Sequence, residues 1–260
     1  MTYQNLLLDK KDFIATVTIN REKALNALNM DVLKDIRDCF TALSEDSEVR
    51  VVIVTGAGDK AFIAGADIAS MSTMTEAQAS EFGKLGHSAM NAVDHCKKPV
   101  IAAVNGFCLG GGSEFALSCD FIYASEKAKL GLPEVNLGLF PGWGGTQRLS
   151  RLVGKGIARE LIYTARIISA QDALNYGIVN RVCPPEDLLN QARATAAEIV
   201  KKAPLAVQMA KRVINEGFDL PLPKGLELEQ NTFPKCFNTE DLKEGIAAFL
   251  GKRPAQFKGV

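Results

Sequence analysis

The sequence predicts an α/β fold in which a layered core of strands and helices is followed by a helical C-terminal segment. Short apolar runs typical of buried strands alternate with amphipathic helical segments up to about residue 182. From Pro184 onward, only helical periodicity remains. We therefore expect a core over residues 1–197 and a helical domain over residues 198–260, in a chain long enough for one large domain or two modest ones.

The first elements are a hairpin, a helix and a buried strand. Leu6–Leu8 and the alternating Phe13–Ile19, separated by a charged turn, predict the hairpin. Apolar residues at helical spacing predict a helix from Met30 to Leu43, with Asn29 as its N-terminal cap. The continuous apolar run Val51–Val54, closed by a Thr-Gly pair, indicates a strand that is buried on both faces.

The same alternation continues toward the C-terminus. Its elements are, in order, a helix over 75–95, a strand over 99–104, a short helix after Gly112, a strand over 121–124, helices over 147–153 and 157–165, and a strand over 179–182. The helical segment then begins with an apolar stripe made of Leu188, Leu189, Ala192, Ala196 and Ile199. A second helix is expected from Ala206 to Asn215, and two prolines within residues 218–224 are expected to change the chain's direction.

Charge and cysteine usage exclude several classes of partner. The 30 Lys and Arg residues balance 30 Asp and Glu residues, so nothing favours general binding to nucleic acid or to a membrane surface. The six cysteines form no CxxC pair, which argues against a zinc ribbon or a redox motif, and we expect free thiols and no metal. No apolar run approaches 18 residues and the N-terminus has no apolar signal region, so we expect a cytoplasmic protein.

Glycines are concentrated in two segments, residues 105–114 and 138–145. The first segment follows a predicted buried strand and precedes a short helix, so its free backbone N–H groups could face an anion. A dinucleotide-binding motif fails because Phe115 occupies its last glycine position, and a P-loop fails because Gly112 occupies its lysine position. A Ser-His-Asp hydrolase is disfavoured because both histidines precede Ser113.

Two interpretations of the first glycine segment remain: an oxyanion hole built from backbone N–H groups, or simply a tight turn from strand to helix. Two carboxylates bear on this choice. Glu114 follows the glycines, and Glu134 lies in a mostly apolar stretch before the second segment. Neighbouring carboxyl groups in a dry pocket would separate into an acid and a base. Taken singly, Glu114 could instead be a favourable first-turn acid of a helix, and Glu134 a solvated loop residue.

Four segments together resemble the enoyl-CoA hydratase (crotonase) family, and they occur in the family's order along nearly the whole chain. They are Asn20-Arg21 with ALNAL at 24–28, AFIAGADI at 61–68, KPVIAAVNGFCLGGGSE at 98–114, and LPEVNLGLFPGWGGTQRL at 132–149. The resemblance implies a spiral of ββα repeats, followed by a helical domain that assembles homotrimers, usually paired into homohexamers.

The resemblance also implies roles for individual residues. The amides of Ala66 and Gly111 would form the oxyanion hole for an acyl-CoA thioester. Glu114 would deprotonate water, and Glu134 would deliver a proton to the α-carbon. No separate cofactor is implied, because coenzyme A is part of the substrate. The residues implied to contact CoA or the acyl group are Lys23, Ala24, Leu25, Ala64, Asp67, Ile68 and Gly142.

The presence of both glutamates favours hydration of a short-chain 2-enoyl-CoA, since related isomerases commonly alter one of them. An enoyl-CoA isomerase, a hydratase of a cyclic dienoyl-CoA and a non-enzymatic RNA-binding member of the fold remain alternatives. Trp143 is the only tryptophan. We expect it near the acyl end of the pocket, which would favour a short or flat substrate, although simple packing would also account for it.

Overall fold

The structure, a computed structural model, describes residues 3–260. The strands in chain order are β1 (Leu6–Lys11), β2 (Ile14–Ile19), β3 (Val51–Gly56), β4 (Ala61–Ile63), β5 (Val100–Val104), β6 (Phe107–Leu109), β7 (Phe121–Ser125), β8 (Lys129–Gly131), β9 (Ile168–Ser169) and β10 (Arg181–Cys183). The helices in chain order are α1 (Met30–Glu45), α2 (Ile68–Met71), α3 (Glu76–Asp94), α4 (Gly111–Leu117), α5 (Gly145–Tyr163), α6 (Ala170–Asn175), α7 (Leu188–Val200), α8 (Pro204–Phe218), α9 (Leu222–Thr232) and α10 (Glu240–Leu250). The predicted α/β class is confirmed.

The larger sheet has six strands in the order β1-β2-β3-β5-β7-β10. The first pair is antiparallel, and every later pair is parallel. Val52 and Val54 face a core shared with α1 and α3, whereas Val51 and Ile53 face α7. Because helices cover both faces of the sheet, every residue of β3 is buried, as its continuous apolar run predicts.

The smaller sheet has four strands in the order β4-β6-β8-β9. Three successive units, which begin with β3, β5 and β7, each place one strand in the larger sheet, the next strand in the smaller sheet and then a helix. This arrangement is the predicted spiral of ββα repeats. Strands β4, β6 and β8 run parallel, so the segments that follow them leave the same edge of the sheet.

Several elements differ in detail from the prediction. The hairpin turns at Asp12 and Phe13, which have φ angles of 52° and 63°, so Phe13 belongs to the turn and not to the strand. The two helices predicted over 147–165 form the single element α5, which is interrupted at Gly154 with a φ of 79°. A glycine at that point permits the change of direction, because left-handed backbone costs glycine little.

The C-terminal helices differ in how they are packed. Helix α7 packs on the larger sheet through Leu188, Ala192 and Ala196, whereas α8 has no buried residue. The domain boundary at 197/198 falls within α7 and stays a prediction. Over the described range, no helix combines the length and the apolar character needed to cross a lipid bilayer. All six cysteines are free thiols, as expected.

Candidate active site

A pocket of about 720 Å³ opens where β4, β6 and β8 end. The residues that follow these strands contribute Ala66, Gly111 and Glu134 to its lining, and α4 contributes Glu114. The parallel arrangement of the smaller sheet therefore brings together four residues that are separated by up to 68 positions in the sequence. These four are the catalytic and oxyanion-hole residues predicted from the sequence.

Two backbone amides face this pocket without an acceptor. Among residues 3–260, no backbone or side-chain group accepts a hydrogen bond from the amide of Ala66. The amide of Gly111 is the first of α4 and has no partner within the helix. The residues immediately before them, Gly65 and Gly110, have φ angles of 129° and 52°. Each amide is therefore oriented by a glycine whose backbone conformation L-residues rarely adopt.

The two glycine loops lie against each other and against Glu134. A Cβ placed on Gly110 would lie 3.8 Å from the Cα of Gly65 and 3.2 Å from Oε1 of Glu134. The amide of Gly110 is anchored by a 2.9 Å hydrogen bond to the carbonyl of Gly131, at the end of β8. A polar group bound between the two free amides would thus lie next to the carboxyl group of Glu134.

Glu114 lies in the first turn of α4 and is only 2% exposed. Its Oε1 accepts hydrogen bonds from the amides of Trp143 at 2.7 Å and Gly145 at 2.8 Å. Burial raises the pKa of this carboxyl, and the amides of Gly145 and Trp143 together with the charge of Arg148 act in the opposite direction. Both hydrogen bonds end on Oε1, so Oε2 is available to a water molecule or a substrate.

Glu134 begins a turn of 3₁₀ helix over Glu134–Leu137, and its surroundings differ from those of Glu114. Its Oε2 is buried and has no hydrogen-bond partner among the described residues. Burial, the largest cause, raises its pKa to about 7; its own backbone N–H lowers the pKa, and the charge of Glu114 adds a smaller increase. The buried, unpartnered Oε2 of Glu134 favours the protonated form, whereas the two donors on Oε1 of Glu114 favour its ionised form and oppose the effect of burial.

Trp143 lines the pocket beside these groups, as the sequence predicts. Its indole ring packs between Gly86 of α3 and Gly111, at positions where a Cβ on either glycine would collide with it. Phe82 meets the ring edge-on, with centroids 5.0 Å apart and planes at 76°. Trp143 is therefore a fixed part of the pocket wall that adjoins the free amide of Gly111.

Three of the residues predicted to contact CoA or the acyl group also line the pocket: Ala64, Ile68 and Gly142. Lys23 and Leu25 are exposed, and the carbonyl of Leu25 accepts a 3.1 Å hydrogen bond from the amide of Ala64. Residues 23–25 therefore lie beside the pocket without forming its wall.

The side chain of Asp67 is engaged with the protein itself. It pairs with Arg21 at 3.2 Å, and it caps α2 by accepting from the amide of Ser70. These contacts hold the loop that presents Ala66, so the structure places Asp67 where it orders the loop and not in the lining of the pocket.

Sequence reasoning missed most of the apolar side of the pocket. Met71, Met74 and Phe82 line it, and they come from α2, the loop after it and α3. Their signal in the sequence is an apolar helix face, which looks the same whether the face covers a core or a pocket. Within residues 3–260, no group of three His, Cys, Asp or Glu side chains is placed to hold a metal ion.

Comparisons with known proteins agree with this geometry. A profile of the enoyl-CoA hydratase/isomerase family matches residues 9–260. The chain is 49% identical to the crotonyl-CoA hydratase of Syntrophomonas wolfei over 257 aligned residues, and the alignment covers 99% of each protein. It is 50% identical to the short-chain-enoyl-CoA hydratase of Clostridium acetobutylicum over 253 aligned residues, and the alignment covers 97% of each protein. The chain belongs to the enoyl-CoA hydratase/isomerase family.

The structural comparison leads to the same family. The crystal structure of an enoyl-CoA hydratase from Bacillus anthracis matches with a TM-score of 0.97 at 42% identity, over 99% of this chain and 100% of that one. The predicted resemblance and the predicted crotonase fold are therefore both confirmed. Because the family contains hydratases and isomerases, the environments of Glu114 and Glu134 bear directly on which reaction this member performs.

Proposed function

We propose that this enzyme hydrates short-chain 2-trans-enoyl-CoA thioesters to 3-hydroxyacyl-CoA. One observation carries the proposal: two carboxyl groups with different environments, Glu114 with two N–H donors on its Oε1 and Glu134 with a buried, unpartnered Oε2, line one pocket together with two free backbone amides. The two relatives near 50% identity, named for crotonyl-CoA and short-chain enoyl-CoA hydration, support the same substrate class.

In this proposal, the thioester oxygen accepts hydrogen bonds from the amides of Ala66 and Gly111. Addition of water at the β-carbon moves negative charge onto that oxygen, so both donors bind the transition state more strongly than the substrate. Loss of one such donor typically costs roughly 10²- to 10³-fold in rate. The free amides thus supply charge stabilisation without any side chain.

The two glutamates divide the proton transfers. Glu114, whose ionised form is favoured by the amides on Oε1, orients a water molecule through Oε2 and takes its proton as the oxygen bonds to the β-carbon. Glu134, which holds its proton up to about neutral pH, gives that proton to the α-carbon. The hydroxyl group goes to the β-carbon and a proton goes to the α-carbon, so water is added overall. Glu114 is then protonated and Glu134 ionised, and proton exchange with solvent restores both groups before the next turnover. Each positioned transfer is typically worth about 10²- to 10⁴-fold in rate.

The remaining contacts and the assembly are also proposals. Ala64, Ile68 and Gly142 would contact the thioester and its acyl chain, whereas Lys23, Ala24, Leu25 and Asp67 would lie along the CoA moiety. No metal or redox cofactor takes part in the proposed reaction. Exposed apolar side chains on the C-terminal helices, such as Ile214, Phe218 and Phe249, support a homotrimer or a hexamer of paired trimers, and a cytoplasmic location stays a prediction.

The decisive experiment follows the loss of enoyl thioester absorbance when purified protein is mixed with crotonyl-CoA. Glu114→Gln and Glu134→Gln should each lose orders of magnitude in turnover while still binding CoA esters. Glu126→Gln, which changes an exposed carboxylate between β7 and β8, is the matched control and should remain active. Absence of activity on every enoyl-CoA from C4 to C10 would overturn the proposal.

Product analysis separates hydration from isomerisation. An isomerase needs one group to shuttle a proton between two carbons, and Glu134 alone could do this. The two amides that donate to Oε1 of Glu114 would then have no catalytic purpose. We expect 3-hydroxyacyl-CoA to form from a 2-enoyl-CoA much faster than a 3-enoyl-CoA is converted to its 2-enoyl isomer, and the reverse ratio would identify an isomerase.

A further inference from the structure

Arg148, in the first turns of α5, connects the end of α3 to the turn over residues 142–145. Its Nε and Nη2 donate to Oδ2 of Asp94 at 3.1 and 2.8 Å, and Nη2 also reaches Oδ1 of Asn91 at 3.3 Å. Its Nη1 donates to the carbonyl of Trp143 at 3.2 Å. One guanidinium group therefore bonds α3 on one side and the turn on the other.

The same turn holds Glu114. The amides of Trp143 and Gly145, on either side of Gly144, both donate to its Oε1. Gly144 has a φ of 109°, and a Cβ at this position would collide with Nη1 of Arg148. The guanidinium group thus lies directly against the turn whose two amides bind the carboxylate.

We infer that Arg148 is a positioning residue for Glu114, which it serves by holding the turn over 142–145 so that both amides meet Oε1 and Oε2 is left for water. This inference rests on the proposed role of Glu114 as the base. An arginine suits the task because its planar fork can bond two partners in fixed directions, whereas a lysine supplies a single point charge.

Electrostatics agrees with this geometry. The charged group that acts on the Glu114 carboxyl from α5 is Arg148, which lowers its pKa. Glu134 faces it from the 3₁₀ turn, and Asp94 on α3 compensates the charge of Arg148. Removal of the guanidinium group would withdraw its charge and loosen the two amides, and both changes raise the pKa of Glu114. The base would then be protonated, and inactive, up to a higher pH.

A role confined to joining α3 to α5 would affect stability alone, so kinetics as a function of pH distinguishes the two roles. For Arg148→Met we expect kcat on crotonyl-CoA to fall about 10- to 100-fold, with KM within about threefold of the wild type. The acidic limb of the kcat profile should move to higher pH. The matched control is Arg151→Met, one turn further along α5, which removes an exposed pair with Asp219 and should change neither quantity.

Arg148→Lys serves as the second variant, because it keeps a charge beside Asp94 and carries the test if Arg148→Met is recovered unfolded. A lysine lacks the planar fork that bonds Asp94 and the carbonyl of Trp143 in fixed directions, so we expect an intermediate loss of kcat with the same direction of pH shift. Turnover and a pH profile like those of Arg151→Met would overturn the inference. A lower kcat without movement of the acidic limb would overturn it as well.

A double variant separates this inference from the proposed function. If Arg148 acts through Glu114, adding Arg148→Met to Glu114→Gln should lower kcat by less than about twofold further. A further loss as large as in the wild-type background would overturn the inference. If Glu114→Gln alone kept normal turnover, the proposed base would be wrong; if it were inactive while Arg148→Met matched its control, only the role of Arg148 would be wrong.

Discussion

The backbone of Gly145 lies directly against the side chain of Glu114. The Gly145 amide donates a 2.8 Å hydrogen bond to Oε1 of Glu114, and a Cβ added to Gly145 would lie only 3.0 Å from Cγ of the same glutamate. The start of α5 therefore acts as a close-fitting support for the proposed base, and it does so because the first residue of the helix has no side chain.

Gly145→Ala should consequently impair turnover without impairing binding. The added methyl group would press on Glu114 and also on Pro141, whose Cβ would lie 3.0 Å away, so the carboxylate must shift by a few tenths of an ångström. We expect kcat on crotonyl-CoA to fall about tenfold, with little change in KM. Gly156→Ala is the control in the same helix, since a Cβ there meets nothing within 4 Å; equal effects of the two substitutions would contradict the prediction.

Gly110→Ala tests the oxyanion hole, which has no side chain to remove. Gly110 has φ 52° and ψ −124°, a conformation that an alanine would leave, and the amide of Gly111 would turn with it. We expect a loss of about 10²-fold in kcat, similar to the loss of one donor. Gly177→Ala also places an alanine at a positive φ, of 77°, where a Cβ would meet nothing within 4 Å. It should cost about 1 kcal/mol of stability and leave kcat unchanged, so an equal loss of turnover in both variants would refute the assignment.

The sequence was most informative where chemistry requires particular residue types. Glu114 and Glu134 could be selected because together they adjoin the two glycine segments and fall in motifs that resemble the family, and β3 could be selected because its apolar run is unbroken. The individual strands of the smaller sheet could not be located from the residue pattern, since strands of two or three residues show no periodicity; only the family resemblance implied a second strand in each repeat. Arg148 was missed for a different reason: its partner Asp94 is 54 residues away, and no local pattern distinguishes it from an ordinary surface cation.

The physical basis of the difference between the two glutamates could not be predicted, because it depends on which backbone amides reach each carboxyl group. Residue types alone predict only that one of the pair holds a proton, and the family resemblance is what implies that Glu134 is the acid. In the fold, the turn before α5 directs two amides to Glu114, whereas Glu134 lies at the start of a 3₁₀ turn with its Oε2 buried and unpartnered.

Glu134→Gln should stabilise the fold at alkaline pH while it removes activity. The pKa of Glu134 is raised from 4.5 to about 7, so the folded state binds this proton more tightly than the unfolded state. Stability is therefore lost as the pH rises from about 5 to about 7 and is constant above that range. The shift corresponds to roughly 3 kcal/mol, of which we expect about 1–2 kcal/mol because the pocket is open to solvent.

Urea denaturation at pH 5 and pH 8 measures this effect. The free energy of unfolding of Glu134→Gln should match that of the wild type at pH 5 and exceed it at pH 8, because a neutral amide has no charge to bury. For Glu126→Gln, which changes an exposed carboxylate, the free energy of unfolding should differ from that of the wild type by the same amount at both pH values. A Glu134→Gln variant that gains nothing between pH 5 and pH 8 would contradict the raised pKa.

Trp143 should set the longest acyl chain that the pocket accepts. The indole adjoins the free amide of Gly111 and is held by Gly86 and Phe82, so an acyl chain that extends past the thioester meets a rigid wall. Replacement by Phe and then by Ala should raise, step by step, the ratio of kcat/KM for octenoyl-CoA to kcat/KM for crotonyl-CoA. We expect a rise of about tenfold or more for Ala, since each accommodated methylene is worth roughly 1–3 kcal/mol.

The control for Trp143 is Phe40→Leu, at a fully buried aromatic residue in α1 outside the pocket lining. This substitution should lower stability without changing the ratio. A ratio that stays constant across the Trp, Phe and Ala series would show that Trp143 serves packing alone.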